Sequence, residues 1–178
     1  MSMSNSKVKL GVLLPTRGIL LRDEPPSSAE TVLDLACQVE SAGLDSVWVG
    51  DSLTAKPRME PLAALSAIGA ATQRVRLGTA VLLAALRQPV LLAQTMATVD
   101  LISEGRLIVA AGVGGAFNED QRREWQAAGI DSRRRASRFE EIVQIVKELG
   151  AGRPATFSGK HFQLDDVSIG PNPVRPGG

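Results

Sequence analysis

Residues 75–83 read Val-Arg-Leu-Gly-Thr-Ala-Val-Leu-Leu, a near-continuous apolar run with helical stretches on both sides in sequence. Before it, Pro61 stands where a first helical turn tolerates proline, and Leu62–Thr72 is small and apolar. After it, Pro89 opens a second helical stretch that runs to about Ser103. Antiparallel strands with one wet face alternate apolar and polar residues; a run apolar on both sets of positions belongs to a strand covered on both faces. Helices on either side of such a strand in sequence point to a parallel sheet.

Outward from this unit the pattern repeats. Lys7–Pro15 (KVKLGVLLP), Ser46–Gly50 (SVWVG) and Arg106–Val113 (RLIVAAGV) are further apolar strands. Thr16–Ser28 is a loop with Gly18, Pro25 and Pro26, and Ser28 is the expected N-cap of a helix over Ala29–Ala42. Gly43 follows as the expected left-handed C′ residue. Arg134–Leu149 sets Phe139, Ile142, Val143, Val146 and Leu149 on one helical face. Then the rhythm breaks. Ala155–Phe157 and His161–Leu164 flank Ser158-Gly159-Lys160, a hairpin signal, and Gly170–Gly178 is expected to be irregular. The expected organisation is one domain over 1–178, with βα units over 7–150 and a hairpin and tail over 151–178. Periodicity leaves two architectures open: an open doubly wound sheet, or part of an eight-stranded (β/α) barrel, which typically takes about 250 residues.

Composition narrows function more than fold. Hydrophobic residues make up 44% of the 178, enough for a core, and the formal net charge is only +1, which attracts neither nucleic acid nor a membrane surface. Aromatic residues are 3% with no tyrosine, which argues against base-stacking platforms. Met1–Ser6 lacks the basic start and apolar run of a signal peptide, and no apolar run reaches the roughly 18 residues of a membrane-spanning helix. The lone Cys37 cannot form an internal disulfide. A soluble cytoplasmic protein is therefore expected.

In either architecture ligands meet the C-terminal strand ends, here Leu14–Gly18, Gly50–Thr54, Thr79–Leu83 and Gly112–Asn118. Asp51 can accept a hydrogen bond from a ring N–H there; its alternative role is an Asx-turn or cap. Gly112-Val113-Gly114-Gly115-Ala116-Phe117 has Phe117 where a dinucleotide fingerprint needs its third glycine, so it reads as a tight strand exit or as glycines that let a planar ring approach the backbone. His161, the only histidine, has no partner for a metal site and is expected to be structural. Arg133-Arg134-Arg135 with Arg138 reads as a solvated face, with an anion patch as the alternative.

Four stretches together resemble the luciferase-like monooxygenase family, which includes bacterial luciferases and oxidoreductases dependent on coenzyme F-420. They are Gly43–Asp51, Val75–Val81 with Gln88-Pro89-Val90, Asp100–Val113, and Phe157–Val167 as the family's hairpin insertion. The resemblance runs from about Lys7 to Pro176. It implies an α/β fold of parallel (β/α) TIM-barrel type, truncated here to about four units, that binds FMN or the reduced deazaflavin coenzyme F-420. It further implies a non-proline cis peptide at Ala80-Val81 against the ring. Asp51, Leu83, Gly114 and Asn118 are the other cofactor contacts implied, and Ser52 borders the substrate pocket. Ser52 stands where many relatives have histidine and Gly115 near where one subgroup has a catalytic glutamate, so no catalytic residue is assigned. The implied function is oxidation or reduction of a small organic substrate; the alternative is a non-catalytic, truncated module. A homodimer through the helices 61–72 and 89–103 is also implied. Val12, Val47, Val49, Ala80, Leu82, Ile108 and Ala110 are expected to face the barrel interior.

Overall fold

The first strand, β1 (Gly11–Leu13), pairs in parallel with β2 (Ser46–Val49), β2 with β3 (Arg76–Leu82), and β3 with β4 (Leu107–Ala111). The sheet order is thus the chain order. The computed structural model describes residues 8–21 and 28–175. Between strands lie α1 (Glu30–Ser41), α2 (Pro61–Ala71) and α3 (Pro89–Ile102); α4 (Glu119–Ala127) and α5 (Arg135–Gly150) follow β4. An antiparallel hairpin, β5 (Ala155–Ser158) with β6 (Gln163–Val167), closes the order. Gly170–Pro171 and Ala80–Val81 are cis peptides.

Helix ends follow local chemistry. Both α2 and α3 begin with proline, and their caps Glu60 and Gln88 accept the N–H groups of Ala63 and Leu91, each at 2.7 Å. Gly43 takes φ +78° after α1, as its C′ position requires. Ser28 is not the N-cap of α1. That position is Ala29, and the Ser28 hydroxyl accepts the Glu30 N–H from one residue further out.

The helices settle which architecture is present. Val32 and Ala36 of α1, Leu62, Leu65 and Ile68 of α2, Leu92 of α3 and Ile142 of α5 share one core with Val47, Val49 and Leu77 of the sheet. A doubly wound sheet carries helices on both faces and reverses its strand order; here they cover one face and the order runs straight through, as in a barrel. This corrects the expected facing of several side chains. Val47 and Val49 are 0% exposed under the helices, and Val12 and Leu82 join the same core. The opposite face carries Gly11, Ser46, Trp48 and Gly78, with Ala80, Ile108 and Ala110 in register beside them. The Trp48 ring fills the space above both glycines, since a methyl group at Gly11 or Gly78 would overlap it, and its Nε1 donates to Ser46 Oγ at 2.9 Å.

Two further differences from expectation have physical causes. Helix α4, Glu-Asp-Gln-Arg-Arg-Glu-Trp-Gln-Ala, has no apolar stripe and buries only Glu124 and Trp125, so periodicity gives it no signal. The arginine run is only partly solvated: Arg133 pairs with Asp131, but Arg135 donates to Gly114 O and Ser132 O, and Arg138 donates to Ala85 O and Arg87 O. His161 meets Ser137 across 2.8 Å between hairpin and helix. The tail clips β4 through Arg175, which donates to Leu107 O, and α3 through Val174 N–H, which donates to Asp100. Among the described residues no helix is long and apolar enough to cross a membrane.

At the end of the sheet remote from the strand exits, Arg106 donates to the carbonyls of Gly69, Thr72, Val75 and Ser103 and to Thr72 Oγ1. It thereby ties the end of α2, the start of β3 and the turn after α3 together. Arg106→Met leaves these acceptors without their donor; a destabilisation of about 3 kcal/mol in urea denaturation is expected. A change under 1 kcal/mol would show that water replaces the guanidinium.

Candidate functional site at the strand exits

The exits of β2, β3 and β4 converge. Asp51, the second residue past β2, turns away from its own loop and spans to the next strand. Its Oδ2 accepts the Leu83 N–H at 2.8 Å and an Arg87 guanidinium N–H, and its side chain is 4% exposed. Neither an Asx-turn nor a cap describes it. Arg87 reaches on to Glu60 Oε1 at 2.8 Å. Burial works against the charge on Arg87, but Asp51 and Glu60 outweigh it and raise the guanidinium pKa. Among the described residues Asp51 Oδ1 takes no hydrogen bond.

The loop after β2 is held by a residue with no sequence signal. Glu124 of α4 is 3% exposed, and its Oε1 accepts from Ser52 Oγ at 2.7 Å, Thr54 N–H at 2.9 Å and Ala55 N–H at 3.2 Å. Burial raises its pKa, but these donors overrule burial and hold the carboxyl below the ordinary glutamate value. Ser52 therefore borders the cavity with its hydroxyl engaged, donating to Glu124 and accepting the Lys56 N–H. A paired glutamate inside the polar stretch Asn118–Glu124 could have been found only by knowing that α4 folds back over this loop.

The peptide between Ala80 and Val81 is cis, and both residues are exposed, Val81 at 43%. Glycines surround them. A methyl group at Gly112 would press on Val81 Cγ2 at 2.9 Å, and one at Gly50 would overlap the Arg58 guanidinium. Gly114 takes φ +82° and packs against Trp125; its neighbour Gly115, not Gly114 itself, lines the cavity and accepts Trp125 Nε1–H at 2.7 Å. Asn118 caps α4 in a reciprocal capping box with Gln121, so its Oδ1 is engaged, while among the described residues its amide N–H groups have no acceptor. Asp51, Ser52, Arg58, Leu83 and Asn118 thus line one cavity of about 190 Å³, closed on one side by Glu124. Of the residues singled out in the sequence, Asp51, Ser52, Leu83 and Asn118 line this cavity, whereas Ala80, Val81 and Gly114 do not, Gly114 packing against Trp125 instead.

The model of the family described as luciferase-like monooxygenase matches residues 8–177. The chain belongs to this family. Among its curated members, the chain is 35% identical over 152 residues to an F-420-dependent glucose-6-phosphate dehydrogenase of Kineococcus radiotolerans, covering 80% of this chain and 43% of that protein. It is 34% identical to the protein of the same name from Amycolatopsis mediterranei, covering 82% and 45%. Among solved luciferase-like structures, a monooxygenase of Streptomyces bottropensis superposes with a TM-score of 0.76 at 26% identity, over 94% of this chain and 50% of that one. An F-420-dependent secondary alcohol dehydrogenase, solved with an F-420–acetone adduct, gives 0.72 at 28%, over 94% and 49%. The chain spans less than half the length of the curated relatives it matches.

Glu124→Gln keeps the shape but removes the charge that gathers three donors. Stability at pH 7 is expected to fall by about 1.5–3 kcal/mol. The lowered folded-state pKa means that this contribution is present above the ordinary glutamate range and is lost as pH falls through the folded value. The variant should therefore lose part of the acid-side slope of stability, read by urea denaturation at stepped pH; an unchanged slope would place the acid sensitivity elsewhere.

Proposed function

We propose that the strand-exit cavity receives the ring of a deazaflavin or flavin, and that the protein acts as an oxidoreductase on a small organic substrate. Reduced coenzyme F-420 is the first reading, because the curated relatives near 35% identity carry that dependence in their names. FMN is the second, since the same fold serves an FMN-complexed monooxygenase. The observation that carries the proposal is one buried carboxylate with an unused oxygen, Asp51 Oδ1, bonded to the β3 exit at Leu83, just past the exposed Ala80 and Val81, which stand next to Gly50 and Gly112. A flat ring with an N–H at its edge needs such an acceptor and a floor without bulky side chains.

The residues present fit that group. Asp51 would accept a ring N–H, the Asn118 amide would donate to a ring carbonyl, and Leu83 and Val81 would pack the ring edge and exclude water. The bound cofactor would supply the hydride or oxygen chemistry that side chains lack. Arg87 positions Asp51, and Glu124 positions the loop that carries Ser52. Ser52 has no imidazole and its hydroxyl is already bonded, so it is not assigned a proton-transfer role. The alternative, a truncated module without catalysis, predicts weak ring binding or none.

Titrating the chain with coenzyme F-420 and with FMN, followed by absorbance and fluorescence, tests the reading. Asp51→Ala and Asn118→Asp are each expected to weaken the preferred ligand by about 1–3 kcal/mol. Asn118→Asp keeps an oxygen to cap α4, which separates ligand loss from helix loss. Equal affinity in both variants, or no spectral change with either cofactor, would reject the assignment.

We also propose that the chain forms a homodimer through α2 and α3. Helix α3 exposes Leu91 at 62%, Leu101 at 51% and Ile102 at 40%, and α2 exposes only small residues such as Ala63, Ala67 and Ala70, which permit close helix approach. Sedimentation velocity at micromolar concentration should give a dimer, and Leu91→Lys with Leu101→Lys a monomer. A monomeric parent chain would reject the interface.

A further inference from the structure

Among the described residues, no carboxylate pairs with Arg17 or Arg58, which stand at the exits of β1 and β2. Met59 N–H donates to Thr16 O at 3.2 Å, which ties the end of β1 to the loop after β2. Arg17 and Arg58 flank that hydrogen bond. The Arg58 guanidinium occupies the space a side chain at Gly50 would take, close to the Ala80 carbonyl, and lines the cavity. Among the described residues its one hydrogen bond runs from Nε to Lys56 O at 3.3 Å, so both terminal nitrogens lack an acceptor. Among the described residues, the buried Arg17 Nε has no acceptor, and the buried Oγ1 of Thr16, a residue 1% exposed, has no partner.

Asp120 also lines the cavity, and among the described residues it pairs with neither arginine; the other acids nearby point their bonds elsewhere. Asp51 is held by Arg87 and Leu83, Glu60 by Arg87 and Ala63, and Glu124 by Ser52, Thr54 and Ala55. A half-buried guanidinium with no anion has lost water without gaining a partner, and a buried hydroxyl without one has done the same. Guanidinium groups match the geometry of phosphate and carboxylate oxygens, and a hydroxyl can donate a further bond.

We infer that Arg58 and Arg17, with Thr16, form an oxyanion site at the β1–β2 exits that holds a phosphate or carboxylate group of the ligand. The inference deepens the cofactor reading, on which it rests for the identity of the cavity, by assigning a negative charge to what enters beside the ring. The charge belongs either to the substrate or to the cofactor's own side chain.

Arginine Nε–H spectra of the isotope-labelled chain, titrated with inorganic phosphate at constant ionic strength, test it. A saturable shift of the Arg17 and Arg58 signals is expected. Arg58→Gln should weaken phosphate by about tenfold or more, the loss of a charge-assisted bond. Arg76→Gln, on an exposed residue at the opposite end of β3, should leave it unchanged. Shifts that do not saturate, that spread equally to exposed Arg133 and Arg153, or that persist in Arg58→Gln overturn the site. Riboflavin and its hydroxy-deazaflavin counterpart, which carry the ring without phosphate, read the cofactor cavity separately. Phosphate binding with no ring binding rejects the cofactor reading and keeps the oxyanion site; ring binding with no phosphate binding does the reverse. Phosphate that still binds the FMN-loaded chain assigns the anion to the substrate, and phosphate displaced by FMN assigns it to the cofactor; either supports the site.

Discussion

The ion pair between Asp51 and Arg87 is the constraint on which the strand exits depend. Asp51 leaves β2, accepts the backbone N–H of Leu83 at the exit of β3, and is held by a guanidinium that also reaches Glu60 at the start of α2. Arg138 of α5 then donates to the carbonyls of Ala85 and Arg87, and its guanidinium lies 4.5 Å from the centre of the Phe162 ring. Two strands, two helices and the hairpin loop are thereby fixed to one carboxylate. A buried pair of this kind gives modest net stability, because desolvation offsets much of the attraction. Its larger effect is geometric: each partner has further hydrogen bonds whose directions fix the other.

The same device recurs with glutamate. Glu124 gathers Ser52, Thr54 and Ala55; Glu141 gathers the N–H groups of Lys160, His161 and Phe162; Glu40 gathers those of Gln73, Arg74 and Val75. In each case a carboxylate on a helix satisfies successive donors of a loop, and burial is overruled so that the pKa falls. Loops built this way carry their own donors to a fixed point and need little apolar packing. That leaves the cavity wall free for polar and small residues, which is where Asp51, Ser52 and Asn118 stand.

The sheet face opposite the helices explains the composition of β1 and β3. Trp48 lies over Gly11 and Gly78, so a single large side chain replaces several small ones in that layer. In a full barrel such layers are filled by residues from alternate strands.

The sequence by itself determined the strand–helix alternation, the helix starts at Pro61 and Pro89, the turn at Gly43, the hairpin, and the positions of Asp51, Leu83 and Asn118 at strand exits. Those features follow from periodicity, proline and glycine geometry and the rule that ligands meet the C-terminal strand ends, all of which act over a few residues or one fold-wide direction. Which face of the sheet the helices cover was not legible, because a strand apolar on both faces offers no alternation to orient it; that is why Val47 and Val49 were expected on the wrong side. Only the tertiary structure decided the pairings Ser52–Glu124, 72 residues apart, Arg138–Ala85, 53 apart, and Asp51–Arg87, 36 apart. Helix α4 carries no apolar stripe to announce it, and a charged side chain on it looks solvated until the chain folds back. Contacts between charged groups at such separations are set by where the sheet places them, not by the residues next to them in the chain.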